Sequence, residues 1–426
     1  MPREFSDVDG RYPGFNGTEA QQTYRGAKYY TDFSMWDTYR ALHPLLNIVA
    51  PKTNGEMMQS LVDMYQQGGW LPIFPCWNSY TGAMIGDHCI SALSDAYVKG
   101  VRNFDFTNAY DAMAKNAFRT SATMREFKNG NGRRGISSYL KYGFIPVEEI
   151  IREAYHGDEQ VSRTMEYAYD DFALAQVAQQ LGKDDDYQQL MERSKYYRNV
   201  IDPRTGYAQG RHANGQFLTD DNVAQRVKFI TEGAPCHYTF YAPHDPYGLM
   251  DAMGGKIYYV ARLDSTFQHN RYWHGNEPCH QMAYMYNYAG EPWKTQREVR
   301  RILDTEYENV PGGLSGNDDA GQMSAWYLFS AMGFYPVCPA TPYYMLGTTS
   351  FKSIKIHLDN SKTFTIENDN PWADCYYIQS ATLNGVPYTK NYITHQDIMN
   401  GGTLKLSMGS APNYDWGSRP DDCQPR

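Results

Sequence analysis

The sequence predicts a mainly helical fold that ends in a small antiparallel β-module. Over residues 53 to 300, approximately, apolar residues recur at the spacing of amphipathic helices. Beyond Pro336 they alternate with polar residues, as in half-buried strands. No internal repeat is strict enough for a solenoid. We therefore expect a helical domain over residues 1–335 and a C-terminal β-strand module over residues 336–426 that packs on it.

One pair of helices can be predicted in detail. Apolar residues including Ala168, Phe172 and Ala175 lie one turn apart in TMEYAYDDFALAQVAQQLG, and Gly182 ends that stretch. The same period resumes in DDYQQLMERSKYYRNV after a short acidic turn. Because about four residues join the two helices, they should pack antiparallel. The following segment, IDPRTGYAQGRHANGQF, is rich in turn formers and predicts a long loop with a small hairpin.

The β-module is predicted from four alternating stretches: YYMLGTTSFKSIKIHL, KTFTIEN, YYIQSATLNGVPYTKNYITH and GTLKLSMG. Within the third, Asn384 and Gly385 form the dipeptide typical of a tight hairpin turn. We expect two strands to pair on either side of this dipeptide.

Composition excludes several functional classes. The formal net charge is -9 and no stripe of Lys or Arg is present, so a nucleic-acid partner is not expected. The seven cysteines are widely spaced without a CxxC pair, which argues against a zinc site or a dense disulfide scaffold. We expect no membrane span, because no run of about 18 apolar residues occurs. The segment after Met1 lacks the pattern of an export signal.

Aromatic residues make up 15% of the chain, with 37 Tyr. Aromatic faces among acids and amides suit sugar binding, although large helical domains also use Tyr as ordinary core.

Two polar clusters occur in the first quarter of the chain. Trp36, Asp37 and Arg40 crowd into one turn, where they could form a surface ion pair beside an interface Trp or could grip a sugar ring. Asp87 and His88 follow two glycines at the start of an amphipathic helix. Asp87 could cap that helix or contact a ligand.

Two further clusters involve glutamates. Glu232 follows apolar Phe229 and Ile230, and an apolar setting would favour its protonated form, as a proton donor requires. Alternatively, it lies in the first turn of a helix and is stabilised by the helix dipole. Asn276 and Glu277 lie between a glycine and a proline, and their oxygens suit Ca²⁺ rather than Zn²⁺, although the spacing is not that of an EF-hand.

The last cluster is the acid pair Asp318 and Asp319 in GLSGNDDAGQ. Asp319 and Gln322 have the spacing of a capping box before an apolar helix. A cap explains one acid, but it explains neither the second acid nor the glycines, which would let backbone and ligand approach closely.

Five motifs together resemble glycoside hydrolase family 92, the calcium-dependent exo-acting α-mannosidases. They are YYTDFSMWDTYRALHPLL, GGWLPIFPCWNSYTGAMIGDH, TEGAPCHYTFYAPHDPYGL, YWHGNEPCHQMAYMYNYAGEPWKTQ and GLSGNDDAGQMSAWYLFSAMGFYPV, in the family's order. The resemblance implies an (α/α)6 barrel as the catalytic domain. In the family an N-terminal β-sandwich precedes that barrel, and here the chain starts like the region just after it, so we expect a missing domain or a second chain.

The resemblance also implies roles for the candidate residues. Glu232 would be the general acid and Asp319 the general base of an inverting hydrolysis, while Asn276, Glu277 and Asp319 would hold Ca²⁺. The remaining candidates would bind the terminal mannose: Trp36, Asp37, Arg40, Asp87, His88 and Asp318.

Three hypotheses follow from these motifs. The first is an exo-α-mannosidase acting on mannose-capped glycans, secreted or periplasmic as the resemblance implies. The second is a truncated fragment that binds mannosides without hydrolysing them because it needs the β-sandwich. The third is an (α/α)6 hydrolase of glucosides that works without a metal.

Overall fold

The structure is a computed structural model that describes residues 1–121, 123–151, 155–220 and 222–425. Backbone packing divides the chain into two compact units, each assembled from several segments. Unit 1 comprises Met1–Tyr39, Pro51–His244 and Pro339–Thr341, and unit 2 comprises Arg40–Ala50, Asp245–Cys338 and Pro342–Arg426. No helix of the described residues is both long enough and apolar enough to cross a membrane.

Unit 1 is mainly helical. Its helices are α1 (Met35–Thr38), α3 (Pro51–Gly68), α4 (Cys89–Val98), α5 (Phe106–Phe118), α6 (Met124–Lys128), α7 (Ile136–Tyr142), α8 (Gln160–Gln180), α9 (Asp184–Arg193) and α10 (Pro235–Tyr238). Two short antiparallel ribbons precede them, formed by β1 (Arg3–Glu4) with β4 (Tyr30–Thr31) and by β2 (Arg11–Tyr12) with β3 (Gln21–Gln22).

The predicted helical hairpin is confirmed as α8 and α9. Gly182, with a φ of 66°, ends α8 in the left-handed conformation that glycine adopts readily. Asp171 of α8 contacts Arg193 at the far end of α9, so the two helices run antiparallel. The predicted apolar face differs in one detail, because Phe172 is half-exposed. The rest of α8 is buried on almost all sides, where α4, α5 and α9 pack on it. The small hairpin after α9 is also present, as bridges from Ile201 to Ala208 and from residue 211 to residue 217.

Unit 2 combines helices with the β-module. The helices are α2 (Leu42–Val49), α11 (Pro246–Ala252), α12 (Lys256–Gln268), α13 (Pro292–Thr305), α14 (Gln322–Met332) and α15 (His395–Met399). The strands are β5 (Phe334–Tyr335), β6 (Tyr343–Leu346), β7 (Ser353–His357), β8 (Thr363–Asn368), β9 (Tyr377–Leu383), β10 (Val386–Pro387), β11 (Tyr392–Thr394) and β12 (Gly402–Gly409).

The strands occur where the alternating pattern predicts them, but one pairing does not follow the prediction. The larger sheet has the order β10-β9-β12-β8-β7, and the smaller has the order β11-β6-β5. The prediction of a purely antiparallel module is wrong. Strand β12 lies between β9 and β8, and it runs antiparallel to β9 but parallel to β8. The predicted turn is confirmed: Leu383 pairs with Val386, and Asn384 and Gly385 both have positive φ. The boundary at residues 335 and 336 stays a prediction.

Candidate functional site

Two loops of unit 2 approach each other so closely that only glycines fit at the contact. A Cβ on Gly316 would lie 2.5 Å from the carbonyl oxygen of Gly275, and a Cβ on Gly275 would lie 2.5 Å from that of Ser315. The first loop carries Asn276 and Glu277, and the second carries the acid pair at residues 318 and 319. The glycines therefore bring the loop of Glu277 against the loop of the acid pair.

At this contact, two acids pair with each other. A carboxylate oxygen of Glu277 and one of Asp319 lie within 4.8 Å of each other. Glu277 is buried, as is its neighbour Asn276, while Asp319 is half-buried. Burial raises the pKa of Asp319, the hydrogen bond with Glu277 lowers it, and the negative charge of Asp318 raises it. Two carboxylates this close repel when both are ionised, and a shared proton or a nearby positive charge would relieve that repulsion.

The backbone around Asp319 is unusual. Asp319, Ala320 and Gly321 have φ values of 45°, 57° and 106°, so three successive residues lie in the left-handed region. Residues other than glycine rarely adopt this conformation, and such strain clusters at functional sites. The turn separates Asp319 from the start of α14, whose N-terminal flanking residue is Gly321.

The cap of α14 comes from Asp318. Its carboxylate accepts hydrogen bonds from the backbone N–H of Ser324 at 3.0 Å and from the Ser324 hydroxyl at 2.8 Å. The predicted capping box of Asp319 and Gln322 is wrong, because the side-chain amide oxygen of Gln322 accepts from the backbone N–H of Ala41 at 2.9 Å instead. This leaves Asp319 to the acid pair.

His280 connects the first of these loops to the start of α14 through hydrogen bonds. Its Nε2 donates to the carbonyl oxygen of His274 at 3.0 Å, and its Nδ1 accepts from the Gln322 amide at 3.1 Å. Burial, reinforced by the positive charge of Arg40, lowers the pKa of His280 to about 3, so the ring is neutral at physiological pH. Trp326 of α14 donates its indole N–H to the His280 carbonyl oxygen at 2.9 Å. Arg40 is itself buried and belongs to unit 2, as His280 does.

In unit 1, Glu232 lies on a loop tied to the start of α8. The Val161 N–H donates to the carbonyl oxygen of Phe229 at 3.0 Å, and the Thr231 N–H donates to the Ser162 hydroxyl at 2.9 Å. Glu232 has a φ of 52°, so its backbone is also left-handed, and its side chain is half-buried. It precedes the short helix α10 and is not part of its first turn, which places it outside the helix-dipole alternative. Both predicted catalytic carboxyls thus lie on strained backbone.

Asp87 does not cap α4. Its carboxylate accepts from the Asn116 amide at 3.0 Å and from Nε of Arg133 at 2.9 Å, and it is completely buried. The residue that flanks α4 is His88, which makes no side-chain cap. Burial raises the pKa of Asp87 to about 7, against the lowering effect of the Arg133 charge.

His88 lies between two acids that sequence reasoning missed. Its Nδ1 lies 2.9 Å from a carboxylate oxygen of Asp170, and its Nε2 lies 3.4 Å from one of Glu166. Burial opposes the charged ring, but the charges and hydrogen bonds of Asp170 and Glu166 outweigh it and raise the pKa of His88 to about 9. His88 also stacks on Tyr39, with 4.0 Å between ring centroids. Glu166 and Asp170 are four residues apart on α8, which was the available signal that they share one face.

The same network continues through α8 to two arginines. Asp171 accepts from Nη1 of Arg133 at 2.6 Å and from Nε and Nη2 of Arg193 at 2.8 Å each. The Tyr139 hydroxyl donates to it as well, at 3.0 Å. Every member is buried.

Trp36 and Asp37 are both buried on α1, and the indole N–H of Trp36 donates to Glu166 at 2.9 Å.

The predicted site residues fall into two groups. Unit 1 carries Trp36, Asp37, Asp87, His88 and Glu232, and unit 2 carries Arg40, Asn276, Glu277, Asp318 and Asp319.

Comparison with protein families and solved structures identifies relatives along the whole chain. The family model described as the glycosyl hydrolase family 92 catalytic domain matches residues 1–410. The α-mannosidase BT3965 of Bacteroides thetaiotaomicron superimposes with a TM-score of 0.91 at 38% identity, covering 100% of this chain and 56% of that one. The inverting mannosidase BT2199 of the same organism gives a TM-score of 0.91 at 35% identity, covering 100% of this chain and 59% of its own.

A curated relative is also similar. It is an uncharacterized secreted glycosidase of Arthroderma benhamiae, 30% identical over 438 residues, which span 95% of this chain and 55% of the relative. The chain therefore spans little more than half the length of the relatives it matches.

Proposed function

The chain belongs to glycosyl hydrolase family 92, and we propose that it is an exo-acting α-mannosidase that releases terminal mannose from mannose-containing glycans. The observation that carries the proposal is the acid pair of Glu277 and Asp319, which lies within two motifs of that family. The similarity to two mannosidases of B. thetaiotaomicron supports the choice of sugar.

We assign an inverting single displacement to the reaction. Water attacks the anomeric carbon while the bond to the leaving oxygen breaks, and the configuration inverts. Asp319 would take the proton of that water, and Glu232 would donate a proton to the leaving oxygen. The left-handed backbone at both residues supports this assignment, because strain of that kind is retained where function requires it.

The residues around the acid pair fit Ca²⁺. Glu277 and Asp319 offer carboxylate oxygens and Asn276 an amide oxygen, which are the hard ligands that Ca²⁺ prefers. The closeness of the two carboxyls supports a positive charge bound at this position. When bound, Ca²⁺ would neutralise the pair and polarise hydroxyl or water oxygens beside it.

The other predicted residues keep their proposed roles. Trp36, Asp37, Arg40, Asp87, His88 and Asp318 would bind or position the terminal mannose. The (α/α)6 arrangement and the N-terminal β-sandwich that the resemblance implies stay predictions. We also propose a secreted protein, since the name of the fungal relative calls that glycosidase secreted.

The test is release of mannose from α-linked mannobioses by the purified chain with Ca²⁺ and with a chelator. Hydrolysis that the chelator abolishes, with β-mannose as the first product detected by NMR, supports the proposal. Binding without release supports the alternative of a non-catalytic mannoside-binding fragment. Hydrolysis of maltose that survives the chelator would instead identify a metal-independent glucosidase.

A further inference from the structure

We propose that Glu166 is a positioning residue for the sugar site, because its carboxylate holds Trp36 and Tyr238 in place. The proposal rests on the proposed function, which assigns Trp36 to the terminal mannose. Glu166 lies outside the five motifs that resemble the family. It lies in the middle of α8, far along the chain from both partners.

One oxygen of this carboxylate serves two motifs. Oε1 of Glu166 accepts a hydrogen bond from the indole N–H of Trp36 at 2.9 Å and another from the Tyr238 hydroxyl at 2.7 Å. Trp36 belongs to the WDTYR stretch, and Tyr238 follows Glu232 in TEGAPCHY. Both partners and the carboxylate are buried, so water does not compete for these bonds. The negative charge strengthens both of them.

The second carboxylate oxygen of Glu166 contacts His88, which in turn packs on Tyr39 just after α1. Oε2 of Glu166 lies 3.4 Å from Nε2 of His88, and the His88 ring stacks on Tyr39. Trp36 and Tyr39 flank Asp37 in the chain, so the pair of Glu166 and His88 restrains the aromatic residues on both sides of that acid. Asp37 itself lies on α1, a helix of only four residues.

The same helix also anchors the loop of the proposed general acid. The first turn of α8 binds the loop through the bonds of Val161 to Phe229 and of Thr231 to Ser162. The loop continues through Glu232 to α10. Helix α8 therefore supports two predicted parts of the site, and its buried carboxylate links them.

The test uses Glu166→Gln in the full chain. The amide oxygen of Gln can still accept from Trp36 and Tyr238, so the fold is expected to survive while the charge and the contact with His88 are lost. We expect affinity for mannoimidazole, a ligand bound by one of the solved relatives, to fall at least tenfold by calorimetry. The indole N–H resonance of Trp36, assigned with Trp36→Phe, should move in the ¹H–¹⁵N spectrum.

Two further variants make the result specific. Asp95→Asn removes a charge from another buried ion pair of unit 1, whose partner Lys99 lies 2.7 Å away, and it should leave mannoimidazole affinity unchanged. Tyr238→Phe removes the hydrogen bond to Glu166, and it should weaken binding about fivefold. If Glu166→Gln does not fold, Tyr238→Phe alone tests the proposal.

The outcomes separate this proposal from the proposed function. Unchanged affinity in both Glu166→Gln and Tyr238→Phe overturns the positioning role. So does an unmoved Trp36 resonance, which needs no ligand. A wild-type chain that binds no mannoimidazole contradicts the proposed function instead, and the resonance then still decides whether Glu166 holds Trp36.

Discussion

Both units contain buried or half-buried acids, but their partners differ. In unit 1, Asp171 is held by Arg133 and Arg193, and Asp170 is held by His88. In unit 2, the carboxyl group of Asp319 lies beside that of another acid, Glu277. Burying a charge is costly unless an opposite charge compensates it. The unit 1 acids face cationic side chains, whereas the unit 2 pair brings two like charges together, which is why the proposed function assigns a cation to it.

This difference suggests that the acids of unit 1 contribute to stability and that the acid pair of unit 2 contributes to activity. Removing an acid from a compensated network should reduce stability and leave an unpaired arginine. Removing an acid from the like-charged pair should reduce activity while stability changes little.

The largest effect is expected for Asp319→Asn. Asn cannot take a proton from water, so the rate of mannose release should fall about 10³-fold, within the range of general base catalysis. The free energy of unfolding should change by less than about 1 kcal/mol, because Asp318 and not Asp319 caps α14. Rates on α-linked mannobioses and urea unfolding check the two parts.

Glu232→Gln is the matched variant in unit 1. It should lose hydrolysis of mannobioses to a similar extent, but keep more activity on aryl mannosides, whose leaving groups need less protonation. Full activity in either variant contradicts the corresponding assignment.

Asp171→Ala should show the opposite behaviour. It leaves Arg133 and Arg193 buried without this carboxylate, and breaking a buried ion pair typically costs about 3–5 kcal/mol. We expect a loss of about 4 kcal/mol in the free energy of unfolding, measured with urea. Asp111→Ala, an exposed acid of α5, is the control and should change stability by less than about 0.5 kcal/mol. Equal stability of the two variants would show that the network contributes nothing.

Stability should fall with alkaline pH because of His88. Its pKa is raised from an ordinary value of 6.5 to about 9 in the folded protein. The folded state thus binds a proton more tightly, so this contribution is complete below pH 6.5 and is lost as pH rises through 9. At about 1.4 kcal/mol per pKa unit, the loss is on the order of 3 kcal/mol. The raised pKa values of Asp87, about 7, and Asp63, about 6, also lower stability as pH rises, but that loss develops between their ordinary value of 3.8 and about 7.

The window from pH 7 to pH 9 therefore reports His88. Urea unfolding at several pH values in that window should show the decline, and His88→Gln should flatten it. A wild-type profile that stays flat there would mean that His88 is neutral in the folded protein.

The smallest effect concerns the cap of α14. Asp318→Ala removes the bonds to Ser324 and should cost about 1 kcal/mol of stability, whereas Asp318→Asn should cost little because Asn caps about as well as Asp. Thermal unfolding of the two variants checks this difference. If both variants lose the same stability, the negative charge rather than the hydrogen bond is what α14 requires.

Local patterns in the sequence predicted the local structure well. The Asn384–Gly385 turn and the hairpin of α8 and α9 each depend on residues close together in the chain. The parallel pairing of β12 with β8 was missed, because alternation indicates a strand but not its neighbour.

The candidate site was predictable in part. The motifs indicated Glu277 and Asp319, and the glycines around them explain how their loops meet. The capping box failed because Gln322 finds a partner about 280 residues away, Ala41, which no local spacing reveals. Glu166 was missed because a single acid within a helix is ordinarily solvated, and only its distant partners make it informative.

The central claim is that the acid pair of unit 2 is built for a cation. Calorimetric titration of the chelator-treated chain with Ca²⁺ tests it directly, beside Glu277→Gln and Asp171→Asn. We predict saturable binding of one ion to the wild-type chain, at least tenfold weaker binding to Glu277→Gln, and affinity close to wild type for folded Asp171→Asn. Wild-type protein that binds no Ca²⁺, or binds it equally well after Glu277→Gln, would contradict the claim.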